Sequence, residues 1–586
     1  MKQLLSRIKE NDILLEIVDG KLKIFAKNTT PNPEVISEIR ARKDELLHFL
    51  SGHDKAAFAE SFQATIPVVP LADDYALSSS QKMLWIVSQF EQANIGYNIP
   101  GVHIFEGNLD YLAFSAALQA IIERHENLRT VFRENAEGEI RQVILPGASV
   151  PVAVPCDDLR NAADQQQQVN ALVQEHALTP FDLAHGPLLR THLLQVEDHK
   201  WVFSYVLHHI ISDGWSMDIL MKELLLFYNS YTTGQTPPVA PLRIQYKDYT
   251  AWQQQQLQGD SLQAHKDYWL KQFEGELPIL ALPSDKPRPA VKTYSGADIS
   301  GRLGAELTSG LKTLCQQQGA TLFMGLLAAV NALLYRYTGQ DDIIIGSPIA
   351  GRAHADLEDQ IGFYVNTLAF RSRFKHEDSF ATLLDHVKQV TLGAYEHQIY
   401  PFGELVEALR LQRDMSRNPL FDVQVTLGHG QGQAAGAATQ LGDLKASAYT
   451  DDQLQTSRFD IVFNFAEQGD ELLTGILYNP DVYGPETIIR LSQHLEQLLA
   501  AIVSHPQMPV GELNYLSVGE RSQLLEGFQG GALVAATGAA TGAATVLDLF
   551  AEHVSATPER RAVVTAEGGL SYGELESRAN QLAHAL

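Results

Sequence analysis

The stretch "WVFSYVLHHIISDGWSMDIL", beginning at Trp201, constrains the fold more than any other. Its first seven residues read as a strand apolar on both faces, so the C-terminal end of that strand lies inside the body of the protein. The chain then runs straight into His208 and His209, followed by Ser212, Asp213 and Gly214. Next comes a predicted helix from about Ser216 to Tyr231, with apolar residues at Ile219, Leu220, Leu224, Phe227 and Tyr228. Asp213 stands just before it, where a carboxylate caps amide groups or pairs with a cation. Adjacent side chains of an extended chain face opposite ways, so one histidine can face a cavity while the other packs. Imidazole exchanges protons near neutral pH. Two readings stay open here: a reaction centre at a strand end, or a buried structural pair beside an Asp-Gly turn.

Other chemistries fit less well. Adjacent histidines with Asp213 do not match HExxH, in which helical spacing puts two ligands on one face, so no metal is expected. No G-x-S-x-G elbow offers an activated serine. The segment better suits a histidine that handles a substrate's own nucleophile. Cys156 and Cys315 are the only cysteines, which excludes a disulfide framework and a cysteine-based zinc site. A formal net charge of −26 argues against a general nucleic-acid binder, because phosphate contacts need a basic face. No apolar run of about 18 residues is present to span a membrane. The opening "MKQLLSRIKENDILLEI" carries charges through its apolar stretch and lacks a small-residue cleavage site, so the chain reads as cytoplasmic.

The length of 586 residues predicts roughly three to four domains. Residues 1–50 read as a separate unit: a helix, two strands joined at Asp19-Gly20, and further helix. Nine Lys/Arg against eight Asp/Glu make this unit slightly basic, whereas the rest is strongly acidic. Residues 51–70 read as a linker. From 71 to 505 strands and helices mix in an α/β pattern too long for one core and are expected to form two lobes, about 71–255 and 270–505. Within it, "GHGQGQAAGAATQLG" (428–442) reads as a mobile surface loop. Residues 506–544 read as a second linker, and 545–586 as the start of a new domain that stops within a helix.

Specific motifs then accumulate. "HHIISDGWS" resembles the HHxxxDG signature of nonribosomal peptide synthetase condensation domains, and further motifs of that family follow in the family's order. "LSSSQKMLWIVSQ" (77–89, with Ser78, Gln81 and Trp85) resembles the first, and "RHENLRTVF" (124–132) the second. "YKDYTAWQ" (246–253) resembles the fourth, with Tyr249 where Phe is commoner, and "IGFYVNTLAFR" (361–371) the fifth. "HQIYPFGELV" (397–406) resembles the sixth, although Ile399 stands where an acidic residue is usual, and "RDMSRNPLFDVQVTL" (413–427) the seventh. In these motifs Leu84, Leu128, Phe132, Trp252 and Leu420 read as core, and Arg124, His125 and Glu126 as local polar pairs within a helix.

The resemblance implies two chloramphenicol-acetyltransferase-like α/β lobes in a V-shaped pseudo-dimer, with a tunnel entered from both faces and meeting at His209. It implies no bound cofactor: donor and acceptor arrive as thioesters on the 4'-phosphopantetheine arms of upstream and downstream carrier proteins, and the acceptor amine attacks the donor thioester. His209 would orient or deprotonate that amine. His208 would support it, Asp213 paired with Arg352 would hold the loop, and Gly214 would allow close backbone approach. Trp215, Ser216, Tyr364 and Asn366 are candidates to line the tunnel, though strand packing accounts equally for Tyr364 and Asn366. Heterocyclisation domains carry aspartates in place of the histidines. Epimerisation domains normally follow a carrier domain. A non-catalytic carrier scaffold would be favoured by a degenerate double histidine. "YNIPG" (97–101) and Trp85 favour the subtype joining an L-configured donor to an L acceptor.

Residues 1–50 resemble the α-β-β-α(α) docking domains of tubulysin-type synthetases, which capture an upstream synthetase's C-terminal tail as an added strand. Lys21, Lys23 and Lys27, on or just after the second strand, are candidates to meet an acidic tail. "LDLFAEHVSATPERRAVV" and "LSYGELESRANQLAHAL" resemble the opening of an adenylation domain, without its ATP-binding motifs.

Overall fold

The computed structural model describes residues 13–18, 21–26, 65–147, 150, 154–411, 414–429, 439–441, 444–449, 456–529, 545–565 and 568–585. It divides into two compact units, 1–515 and 516–586.

Strand β1 (Ile13–Val18) pairs antiparallel with β2 (Lys21–Ala26) from Ile13↔Ala26 to Val18↔Lys21. Only positions 19 and 20 separate them, the spacing of a tight hairpin. Lys21 and Lys23 fall on β2. Lys27 and the helices expected around the hairpin lie outside the described residues.

The chain then builds two α/β lobes. In the first, β3 (Tyr75–Ala76), β5 (Thr130–Glu134) and β6 (Ile140–Ile144) make a small sheet in the order β3-β6-β5. The main sheet contains β4 (Asn98–Glu106), β7 (Cys156–Asp158), β8 (Leu189–Glu197) and β9 (Lys200–His208). Strand β9 is central, antiparallel to β4 and β8 on its two sides. From Phe203 to Leu207 its side chains are at most 2% exposed, the two-sided burial that a run apolar but for Ser204 predicts. Helices Tyr111–Arg124 and Gly214–Thr233 cover the sheet with Phe114, Leu118, Leu220 and Leu224.

The second lobe's sheet contains β10 (Ala297–Leu303), β11 (Asp342–Ile349), β12 (Asn366–Arg373) and β13 (Val423–His429). After two strands that leave the lobe, β14 (Thr439–Leu441) and β15 (Leu444–Ala448), come β16 (Ile461–Gln468) and β17 (Glu471–Tyr478). The order is β10-β17-β16-β13-β11-β12. Helix Leu322–Thr338 is buried through Leu326, Val330 and Leu333, and helix Pro485–Ser504 through Leu491, Leu498 and Ile502.

Strands β14 and β15 cross to the first lobe and extend its sheet, with Lys445↔Glu106 to Ala448↔His103. The segment that reads as one glycine-rich loop is therefore flanked by strand residues; positions 430–438 lie outside the described residues. Both expected linkers also include packed chain, the first near its end and the second near its start. Ile66 is fully buried, and its carbonyl accepts from Arg243 Nη1 at 3.0 Å. Val510 and Leu513 are buried in the second lobe's core, and Leu513 O accepts from Arg336 Nη1 at 3.0 Å. Single apolar residues in otherwise loop-like sequence find cavities to fill. Leu84, Leu128 and Phe132 are core residues, while Trp252 and Leu420 are half-buried against the two cores.

Of the local pairs expected at 124–126, Glu126 keeps one, with Arg129 at 3.7 Å, and the other contacts are long-range. Arg124 Nε and His125 Nε2 reach Glu223 at 3.0 and 2.8 Å, and Glu126 takes Lys247 Nζ at 2.6 Å. The helix stops at Arg124, which turns these side chains toward neighbouring elements. Among the described residues no single helix is long and apolar enough to cross a membrane. The unit 516–586 contains helices Val518–Leu525, Val546–Ala556 and Tyr572–Ala585 and an antiparallel pair, β18 (Arg561–Thr565) with β19 (Gly568–Ser571).

Candidate active site

Strand β9 ends at His208, and a single 3-10 turn, His209–Ile211, leads to the helix starting at Gly214. The change of conformation sends the two imidazoles in different directions. His208 is fully buried. Its Nδ1 accepts the Ile210 N–H at 3.2 Å, which places the proton on Nε2, 3.5 Å from Ser88 Oγ. Burial, helped by the nearby Arg190 charge, lowers its pKa to about 3, so it is neutral and structural.

His209 is pinned through its backbone, whose N–H donates to Tyr97 O at 2.9 Å. Its ring stands edge-on to Phe363, centroids 4.7 Å apart, and to Tyr97 at 6.2 Å. Nδ1 is buried without a hydrogen-bond partner. Burial first, then the Arg458 guanidinium, hold the ring's pKa well below its usual value. The imidazole is thus a neutral base with an unspent nitrogen. It sits where first-lobe chain meets Phe363 from the segment ahead of β12.

Asp213 is fully buried and caps the helix. Its Oδ1 accepts from Ser216 N at 2.9 Å, Ser216 Oγ at 2.7 Å and Arg352 Nη2 at 3.0 Å, while Oδ2 accepts from Tyr364 N at 3.1 Å. Arg352 Nη1 donates to Gln360 O at 2.6 Å, and the guanidinium lies 4.3 Å from the Tyr364 ring. This buried pair ties the loop after β11 to the histidine turn. Gly351 makes the approach possible: its φ is +65°, and a Cβ there would meet Tyr364 O at 1.9 Å. A Cβ at Gly214 would meet nothing within 4 Å, so no atom of this chain needs the close approach expected there.

Three of the four tunnel candidates are instead structural. Ser216 Oγ is buried between Asp213, Arg352 and the backbone of Gly362. Tyr364 is buried against Tyr246 and Tyr249, centroids 5.0 and 4.8 Å away. Asn366 spends its amide on Gln398 O and Tyr400 O, both at 3.0 Å, and its carbonyl on Phe402 N. Ser216 and Asn366 spend their polar groups on neighbouring chain, whereas the Tyr364 hydroxyl is buried without a hydrogen-bond partner. Trp215 is 47% exposed and donates to Glu358 O at 3.0 Å. The sequence reading missed Phe363, Tyr294 and Arg458 around His209. Phe363 sits within a recognised motif, but nothing local marks the other two.

A two-lobed α/β body with a His-His turn bound to the second lobe's arginine defines the class: a chloramphenicol-acetyltransferase-like fold. The condensation-domain family model matches residues 71–525, and the chain belongs to that family of nonribosomal peptide synthetases. The TubC N-terminal docking domain model matches residues 1–51. Tyrocidine synthase 3 of Brevibacillus parabrevis is 39% identical over 92% of this chain and 8% of its own length. Gramicidin S synthase 2 of Brevibacillus brevis is 36% identical over 99% of this chain, and the chain spans 13% of that protein. Among solved structures, the X-domain from teicoplanin biosynthesis superposes with a TM-score of 0.71 at 25% identity, covering 77% of this chain and 100% of that one. The first condensation domain of the calcium-dependent antibiotic synthetase, in complex with a substrate analogue, has a TM-score of 0.62 at 20% identity, over 76% and 99%.

Proposed function

We propose that this chain joins a donor acyl or peptidyl thioester on an upstream carrier protein to the amine of an aminoacyl thioester on a downstream one, with His209 orienting or deprotonating the attacking amine. The observation that carries this is the neutral His209 imidazole, held at the meeting of the lobes with Nδ1 unspent. An α-amine has a pKa of about 8 and is nucleophilic once neutral. Bringing two tethered arms together therefore supplies several kcal/mol, and a positioned base adds about 10²–10⁴-fold. Asp213, Arg352 and His208 hold the turn that presents the ring.

Residues 1–50 are proposed to take the upstream synthetase's tail. Residues 545–586 are proposed to open an adenylation domain. Val546 (82%), Leu547 (76%) and Leu582 (62%) are exposed apolar residues on this unit.

The test mixes the protein with loaded donor and acceptor carriers and follows dipeptidyl-carrier formation by intact-protein mass. His209→Ala is expected to abolish product while the fold persists; a folded His209→Ala protein with unchanged turnover overturns the assignment.

A further inference from the structure

Around Arg458, whose charge acts on His209, the second lobe presents a dense cluster of charge. Arg288 pairs with Asp460, and Arg417 with Asp422 at 2.5 Å. Lys292 Nζ donates to Asn418 Oδ1 and to the carbonyl of Arg458, which also accepts from Asn418 Nδ2 at 3.0 Å. Ser457 N donates to Tyr294 O at 3.0 Å. The backbone of Arg458 is thus held firmly on both sides. Its guanidinium is the exception in the cluster: among the described residues it has no carboxylate and no hydrogen-bond acceptor. It lies over the Tyr97 ring, Cζ 5.4 Å from the centroid, and Tyr294 stands 6.3 Å from the same ring. Gly96 admits Tyr294 here, since a Cβ on Gly96 would strike that ring at 2.4 Å.

A half-buried cation without an anion is costly, and cation–π contact offsets only part of the cost. Among the described residues the site therefore offers no acceptor to the five donors of this planar fork, which lies against the tyrosine whose ring His209 also abuts.

We propose that Arg458 is a catalytic residue contributed by the second lobe, its guanidinium donating hydrogen bonds to the oxyanion formed when the acceptor amine adds to the donor thioester. This rests on the amide-forming reading above. In the addition step the amine nitrogen bonds to the thioester carbon, the carbonyl π pair moves onto oxygen beside Arg458, and the nitrogen's proton passes to His209. In the collapse the oxygen pair re-forms C=O, the C–S bond breaks, and the departing thiolate takes the proton from His209. Imidazolium and oxyanion arise together, so the guanidinium's repulsion of one is offset by its attraction for the other. Before the amine adds, the same positive charge disfavours the protonated ring and so keeps His209 ready to accept.

The experiment measures dipeptidyl-carrier formation by wild type, Arg458→Met, Arg458→Gln and Arg458→Lys over a range of carrier concentrations, with thermal unfolding as the check on fold. Loss of an oxyanion donor is expected to lower the rate at saturating carriers by about 10²–10³-fold in Arg458→Met and Arg458→Gln. KM for either carrier should change little, and Arg458→Lys should regain part of the rate. A folded Met or Gln variant with the wild-type rate overturns the proposal, as does a loss confined to KM. If wild type itself makes no product, the amide-forming reading fails instead.

Discussion

His208 in the folded chain is protonated only near pH 3, whereas in the unfolded chain it titrates near its ordinary value of about 6.5. Below about pH 6.5 the unfolded state therefore binds more protons, and stability falls with pH until the folded pKa is reached. Between pH 7 and pH 5 this one ring is expected to remove about 2 kcal/mol. In His208→Asn the amide oxygen replaces Nδ1 as acceptor for the Ile210 N–H, and the titrating group is gone. Urea unfolding at the two pH values should show a smaller difference for the variant by about that amount; an equal difference contradicts the assignment of the effect to His208. The two histidines are inequivalent, but through the change from strand to 3-10 turn at His209 rather than through the strand alternation the sequence suggested; the capping role of Asp213 was legible from its place before an amphipathic helix. The roles of Ser216, Tyr364 and Asn366 were not, because their partners lie far away in sequence: the Gly362 carbonyl for Ser216, the Asp213 carboxylate for the Tyr364 backbone N–H, and residues 398–402 for Asn366.

Element by element, long apolar runs were readable and short ones were not. Strand β9 announces itself through six apolar residues in seven, Trp201 to Leu207, but β15 is only "LKASA", with little β-propensity of its own. What places it is tertiary: the free edge of β4 accepts it, and Leu444 (2% exposed) and Ala446 (6%) fill the first lobe's core. The same holds for Ile66, Val510 and Leu513, whose segments lack periodicity and are fixed by the space they fill. Removing the anchor measures how much the crossover contributes. Leu444→Ala is expected to cost about 2–5 kcal/mol, the range for a buried leucine that leaves a cavity. Urea unfolding gives the value, and a change under about 0.5 kcal/mol, typical of surface positions, would show that the strand does not carry core packing.

At the scale of the molecule, charge separates the parts. Residues 1–50 hold nine basic and eight acidic side chains, which leaves 44 − 9 = 35 basic against 70 − 8 = 62 acidic in the remainder. A near-neutral unit attached to an acidic body can approach an acidic tail without the repulsion the body would impose. Its β1–β2 hairpin is a two-stranded sheet, the element to which strand addition is proposed, and Lys21 and Lys23 on β2 are the candidates for an attraction that salt would screen. On the proposed reading recognition and chemistry are separable: the hairpin would select the upstream partner, and the lobes would join what the carriers deliver. Deleting residues 1–50 is accordingly expected to leave the rate with freely supplied, saturating carriers unchanged and to weaken binding of the upstream synthetase's tail, with the full-length protein's affinity falling as salt rises. Calorimetric titration of that tail against both forms decides the matter, because equal affinity of the full-length and shortened proteins would remove the docking role from the hairpin.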